Sequence, residues 1–126
     1  MEAGELKMHR INTTAFIAAN PTSIALVPRT PVKSGTGTRY VEGPPREAQT
    51  FRLIDQTRTF GSEPGTVLTL DGKQRKAEYQ LLGEYTATIG LHDTWVDIDG
   101  IVFEVGNLLP DNGYEIRAQV VRYGEA

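Results

Sequence analysis

The chain has 126 residues, a formal net charge of −3 and no cysteine. That length suits one domain with one real core. The lack of thiols excludes disulfides and thiolate sites for zinc or iron–sulfur clusters. No apolar run approaches the ~20 residues of a membrane-crossing helix, and "MEAGELKMHR" has no apolar h-region of a secretory signal, so an intracellular origin is expected. Thirteen Gly and seven Pro point to many turns and short strands. Charge is uneven: residues 1–76 hold eleven Lys/Arg against seven Asp/Glu, and residues 77–126 hold two against nine. A subunit with one basic and one acidic side suits stacking between unlike surfaces.

In chain order, residues 1–10 mix charges without periodicity and read as a flexible N-terminal arm. "INTTAFIAANP" places Ile11, Ala15, Phe16 and Ala19 on one face and ends at Pro21, which predicts a short helix. "TSIALVPR" alternates at Ile24 and Leu26 and predicts a strand with Pro28 at an edge or exit. Thr30–Gln49 carries three Pro and three Gly and predicts a protruding loop. "TFRLID" resumes alternation with Phe51 and Leu53 on one side.

Farther on, Glu63-Pro64-Gly65 and Leu70-Asp71-Gly72-Lys73 are expected reversals. "AEYQLLGEY" predicts a strand through Tyr79 and Leu81 that ends at Gly83. Trp95 stands near a strand start, and Asp97-Ile98-Asp99-Gly100 reads as a tight turn. The firmest signal is the last hairpin. Ile101, Phe103 and Val105 share one face, Tyr114, Ile116, Ala118 and Val120 share another, and "PDNG" supplies the turn. Glu104, Glu115, Arg117 and Gln119 read as its polar surface.

The expected fold is therefore all-β: a small antiparallel barrel or sandwich over residues 11–126, with a short N-terminal helix and a protruding loop at 30–49. Its expected core includes Phe51, Leu53, Trp95, Phe103, Val105, Ile116, Ala118 and Val120.

Motifs for chemistry fail on context. "SGTGTR" lacks the Lys-Ser/Thr and the following helix of a phosphate loop. His92, Asp93, Asp97 and Asp99 lack EF-hand spacing, and turn formation accounts for Asp97 and Asp99. A small metal-dependent hydrolase built on His92, Asp93 and Asp97 is a distant alternative. Lys73, Arg75 and Lys76 form a basic cluster without aromatics for base stacking. No enzyme activity, catalytic residue, metal or cofactor is expected.

Four segments in order carry a resemblance: "FIAANPTSIALVPR" (Phe16–Arg29), "PPREAQTFRLIDQ" (Pro44–Gln56), "KAEYQLLGEYTATIGLHDTW" (Lys76–Trp95) and "GIVFEVGNLLPDNGYEIRAQVVRYG" (Gly100–Gly124). Together they resemble the head-to-tail stopper, or head-closure, proteins of long-tailed bacteriophages. His92-Asp93 stands where that family usually has Gly-Asp.

The resemblance implies a small β-barrel that forms a ring in the virion neck, below the portal and its adaptor. The ring closes the DNA channel after packaging and docks the tail terminator. It implies a homo-oligomer of about six copies, or about twelve, made in the host cytoplasm and free of membrane. A loop between early strands would reach the channel, here Val32–Pro45, with Lys33, Ser34, Gly35, Thr36, Gly37, Thr38, Arg39 and Tyr40 as its channel residues. Lys33 and Arg39 would meet terminal genomic DNA through phosphates, without reading sequence. A tail terminator or another neck or tail component is the alternative.

Overall fold

A computed structural model describes residues 2–56 and 65–125, and the side chains of Ser34, Gly124 and Glu125 lie outside the description. The reversal expected at residues 63–65 rests on residues outside it. Helix α1 spans Ala3–Ala18, and ten strands follow: β1 Thr22–Ile24, β2 Arg29–Ser34, β3 Gly37–Glu42, β4 Gln49–Asp55, β5 Thr66–Leu68, β6 Gln74–Lys76, β7 Tyr79–Glu84, β8 Thr94–Val96, β9 Ile101–Leu108 and β10 Glu115–Glu125.

Six strands form one antiparallel sheet in the order β1-β4-β7-β10-β9-β8. The two outer strands are brought together by Val27, whose N–H donates to the Thr94 carbonyl (2.8 Å) and whose carbonyl accepts from the Thr94 N–H (3.0 Å). That bridge nearly closes the sheet into a barrel, and closure covers edges that would otherwise pair with other chains. The strand expected across 22–29 accordingly stops at Ile24, and the next residues run over to β8. Among the described residues, no helix is long and apolar enough to cross a membrane.

Inward positions follow from register. Leu53, Leu81 and Ala118 lie in one row, and Trp95 faces Phe103 across β8–β9. Phe51, Trp95, Phe103, Val105, Ala118 and Val120 are buried in this core with Ile24, Leu26 and Leu81, and Leu53 packs against it partly exposed. The Trp95 and Phe103 rings stack with centroids 4.8 Å apart. Ile116 points inward opposite Gly83 but sits at the end of the barrel and is half-buried. Gly83 must lack a side chain, because a Cβ there would stand 2.9 Å from the Phe51 ring and 2.8 Å from the Ala87 methyl.

The expected turns form as their residues dictate. Asp97 Oδ1 accepts from the N–H groups of Asp99 and Ile101, both at 2.9 Å. Asp111 and Asn112 cap the last hairpin, and Gly113 takes φ 84°.

Two expectations are corrected. Residues 3–10 are not a free arm but the first turns of α1, which continues through the predicted helical segment. Its first half is held without an apolar stripe: His9 stacks on Tyr114 at 4.6 Å, Arg10 lies over the Tyr85 ring at 3.7 Å, and Arg10 Nε donates to the Gly113 carbonyl. Its second half buries Thr13 and Ile17 on the outer face of β4 and β7, with Arg52 donating to the Phe16 carbonyl and covering the Phe16 ring. The stretch 30–49, expected as a loop, is largely a two-stranded ribbon of β2 and β3. Thr, Val, Arg and Tyr around a Ser-Gly-Thr-Gly reversal favour extended pairing over an open loop.

Candidate functional site

The β2–β3 ribbon is paired from Arg29↔Glu42 out to Ser34↔Gly37. Five such steps reach about 17 Å from the barrel. Its tip is a two-residue reversal at Gly35-Thr36, with Gly35 alone at positive φ (58°), the arrangement of a type II′ turn. Every residue of β3 is exposed. Directly paired residues share a face, so Lys33 lies with Thr38, Pro31 and Tyr40, whereas Arg39 lies with Val32 on the opposite face. The two expected phosphate-binding cations thus flank the tip, one on each side. Val32, Tyr40 and Val41 are each about two-fifths exposed (39, 43 and 40%), apolar surface that a two-stranded ribbon cannot bury by itself.

The ribbon is fastened at its base. Arg29 Nη2 donates to Thr94 Oγ1 at 3.0 Å and Nη1 approaches Glu42 at 3.4 Å, while the Gly43 N–H donates to the Pro28 carbonyl at 2.9 Å. Beyond Gly43 the chain crosses back to the barrel, where the Arg46 N–H donates to the Leu26 carbonyl at 2.7 Å. Arg46 also pairs with Asp93 at 2.9 Å. Glycine therefore gives freedom at the tip, while the length from there to the fastened base is a paired arm.

Tyr40 leads from the ribbon into a buried polar group. Its ring meets the His92 ring edge-on at 5.2 Å, and His92 Nδ1 lies 3.1 Å from Glu104 Oε2. Glu104, expected on the strand surface, is fully buried. The β5–β6 ribbon covers that outer face of β9, where Val67, Ala77 and Val121 form a second apolar cluster with Tyr123 against it. The Leu70 N–H (3.1 Å) and the Tyr123 hydroxyl (2.9 Å) both donate to Glu104, so its carboxylate is satisfied without solvent. Burial, then this hydrogen bond to Glu104, push the Tyr123 hydroxyl up to about 12. Nothing in the local sequence marks Glu104, because the groups that hold its carboxylate come from residues 70, 92 and 123.

The residues of the hydrolase alternative do not converge. Asp93 is engaged by Arg46 and by the Gly90 N–H (2.9 Å), Asp97 caps its own turn, and His92 turns to Glu104 with φ 67°. Among the described residues, no group of three or more His, Cys, Asp or Glu side chains is placed to hold a metal ion. No known family model, curated protein or solved structure matches the chain.

Proposed function

We propose that the chain is a head-to-tail stopper of a long-tailed bacteriophage. Copies assemble as a ring in the virion neck, close the DNA channel with their β2–β3 ribbons, and offer the ring's two faces to the portal adaptor and the tail terminator. The observation that carries this reading is the ribbon itself, an exposed arm reaching about 17 Å from a nearly closed scaffold, with its contacts to that scaffold at the base and at Tyr40. The order of the four resembling segments supports it.

In this reading the gate is a set of stiff arms that swing, rather than a set of soft loops. The barrel fixes each arm's root, Gly43 and the Arg29 contacts form the pivot, and copy number turns single arms into a plug. Lys33 and Arg39 at the tips face the genome end, where charge is enough because phosphate contacts need no base sequence. The exposed Val32 and Val41 become covered as neighbouring ribbons close together. The work is mechanical and needs no catalytic group.

An electron-microscopy map of the particle neck tests the reading. Ribbons directed at the channel axis, beside the last ordered DNA, are the expected result. Ribbons packed on the outside of the neck, or no density for this chain at the head–tail junction, overturn it. In parallel, particles carrying Lys33→Ala and Arg39→Ala should release packaged DNA more readily than wild type.

A further inference from the structure

We infer that successive copies of this chain join by seating the Asp97–Gly100 turn of one copy in a trough along helix α1 of the next. The inference deepens the ring reading above and rests on it for its biological setting.

The turn is built as a rigid knob. Ile98 at its tip is 100% exposed, and Val96 beside it is also exposed. Asp97 holds the turn shut through the N–H groups of Asp99 and Ile101, and the Gly100 N–H donates back to the Asp97 carbonyl at 3.0 Å. A fully solvated isoleucine between two aspartates gains nothing within its own subunit. On a knob already ordered, it docks with little further entropy loss.

The trough is apolar and of opposite charge. It has a volume of about 720 Å³ and lies between α1 and Tyr85, with Leu6, Ile11 and Ala15 in its lining and Lys7 and Arg10 beside them. Ile11 and Tyr85 stay about half exposed there (53 and 45%). α1 thus buries Ile17 against the barrel and leaves Ile11 exposed in a second apolar lining, a pattern that a helix needing only one partner does not require.

Position and charge select the same pairing. α1 is held at the β9–β10 hairpin end by Gly113 and Tyr114, whereas the knob joins β8 to the start of β9, the other end of that strand. That places knob and trough at opposite ends of the barrel, out of reach of each other within one copy. A knob-to-knob contact would set Asp97 and Asp99 against their equivalents, and a trough-to-trough contact would oppose Lys7 and Arg10. Both like-charge pairings are disfavoured, and knob-to-trough is favoured. Such a head-to-tail contact propagates around a ring when its rotation closes.

The absence of native cysteine permits a direct test on the full chain. Val96→Cys, which leaves Ile98 in place, and Ala15→Cys are made separately, both at exposed positions, tagged to differ in mass, mixed in equal amounts and oxidised. The expected result is a mixed disulfide dimer about tenfold more abundant than either homodimer, the ratio that a modest specific contact gives. The statistical mixture of dimers overturns the contact. A second pair of variants, Lys7→Glu and Asp99→Lys, should each lower that excess when placed in the respective partner, and together should restore it; failure to restore it also overturns the contact. The two proposals separate cleanly. Rings at the neck without a mixed-dimer excess remove this contact and leave the stopper. A mixed-dimer excess without rings at the neck leaves the contact and removes the stopper.

Discussion

Replacing Gly106 by alanine puts a methyl group where β5 crosses β9. Gly106 is the extra residue where the β9–β10 register shifts between Gln119 and Val120. An added Cβ would lie 2.4, 2.9 and 3.3 Å from Cγ2, Cβ and Cγ1 of Val67. A rotamer change moves the two γ-methyls of Val67 but not its Cβ, so the β5 backbone must retreat. Such overpacking costs about 2 kcal/mol. The backbone of Gly106 is not at positive φ, so alanine also restricts the unfolded chain and returns about 0.7 kcal/mol. The net loss is about 1.3 kcal/mol, and with an unfolding entropy of about 260 cal/mol/K for a chain this long, Tm falls by about 5 °C. Val67→Ala removes the clashing methyls at a cost of about 1.6 kcal/mol. The Cβ of residue 67 stays 2.9 Å away, so in that background Gly106→Ala should cost less without becoming neutral, a coupling of about 1 kcal/mol. Denaturant titration of the four proteins measures it. Equal losses from Gly106→Ala in both backgrounds would refute the steric account and, with it, the close seat of the β5–β6 ribbon over Glu104.

Arg46→Met leaves the Asp93 carboxylate, 1% exposed, without its cation; a loss of about 3 kcal/mol is expected from chemical denaturation, and a change below about 0.5 kcal/mol would contradict the pairing. Trp95→Ala empties the stacked Trp95–Phe103 centre of the core and should cost about 3–5 kcal/mol, read as a large drop in Tm. Tyr123 gives a pH signature. Its hydroxyl titrates at about 12 in the folded chain against 10.0 ordinarily, so below pH 10 both states hold the proton, and between pH 10 and 12 the unfolded state alone releases it. Stability therefore falls with rising pH across that window, and Tyr123→Phe should flatten the fall in a pH series of denaturation midpoints. Parallel curves for the two proteins would show that Glu104 does not hold that hydroxyl.

How much was legible in the sequence depended on whether the signal was local. The alternation through Ile101–Val105 and Ala118–Val120 set strands and inward faces, and Asp97, Gly100, Asn112 and Gly113 set turns, because pleat and turn geometry are decided within a few residues. These local signals sufficed for an all-β domain with a buried Trp95–Phe103 pair. The ribbon site was visible only as an unusual Pro- and Gly-containing segment. Its pairing register, and the consequence that Lys33 and Arg39 lie on opposite faces, required the partner strand.

Three features were decided by tertiary structure alone. Residues 3–10 became helical because Tyr85, Gly113 and Tyr114 receive Arg10 and His9, contacts that leave no apolar periodicity to read. Barrel closure came from one bridge between Val27 and Thr94. Glu104, Leu82 and Val121 sit on outward positions yet are buried, because α1 and the β5–β6 ribbon lie over the outside of the sheet. A strand's sequence states which of its faces is apolar; which distant segment will cover the other is fixed only when the chain has folded.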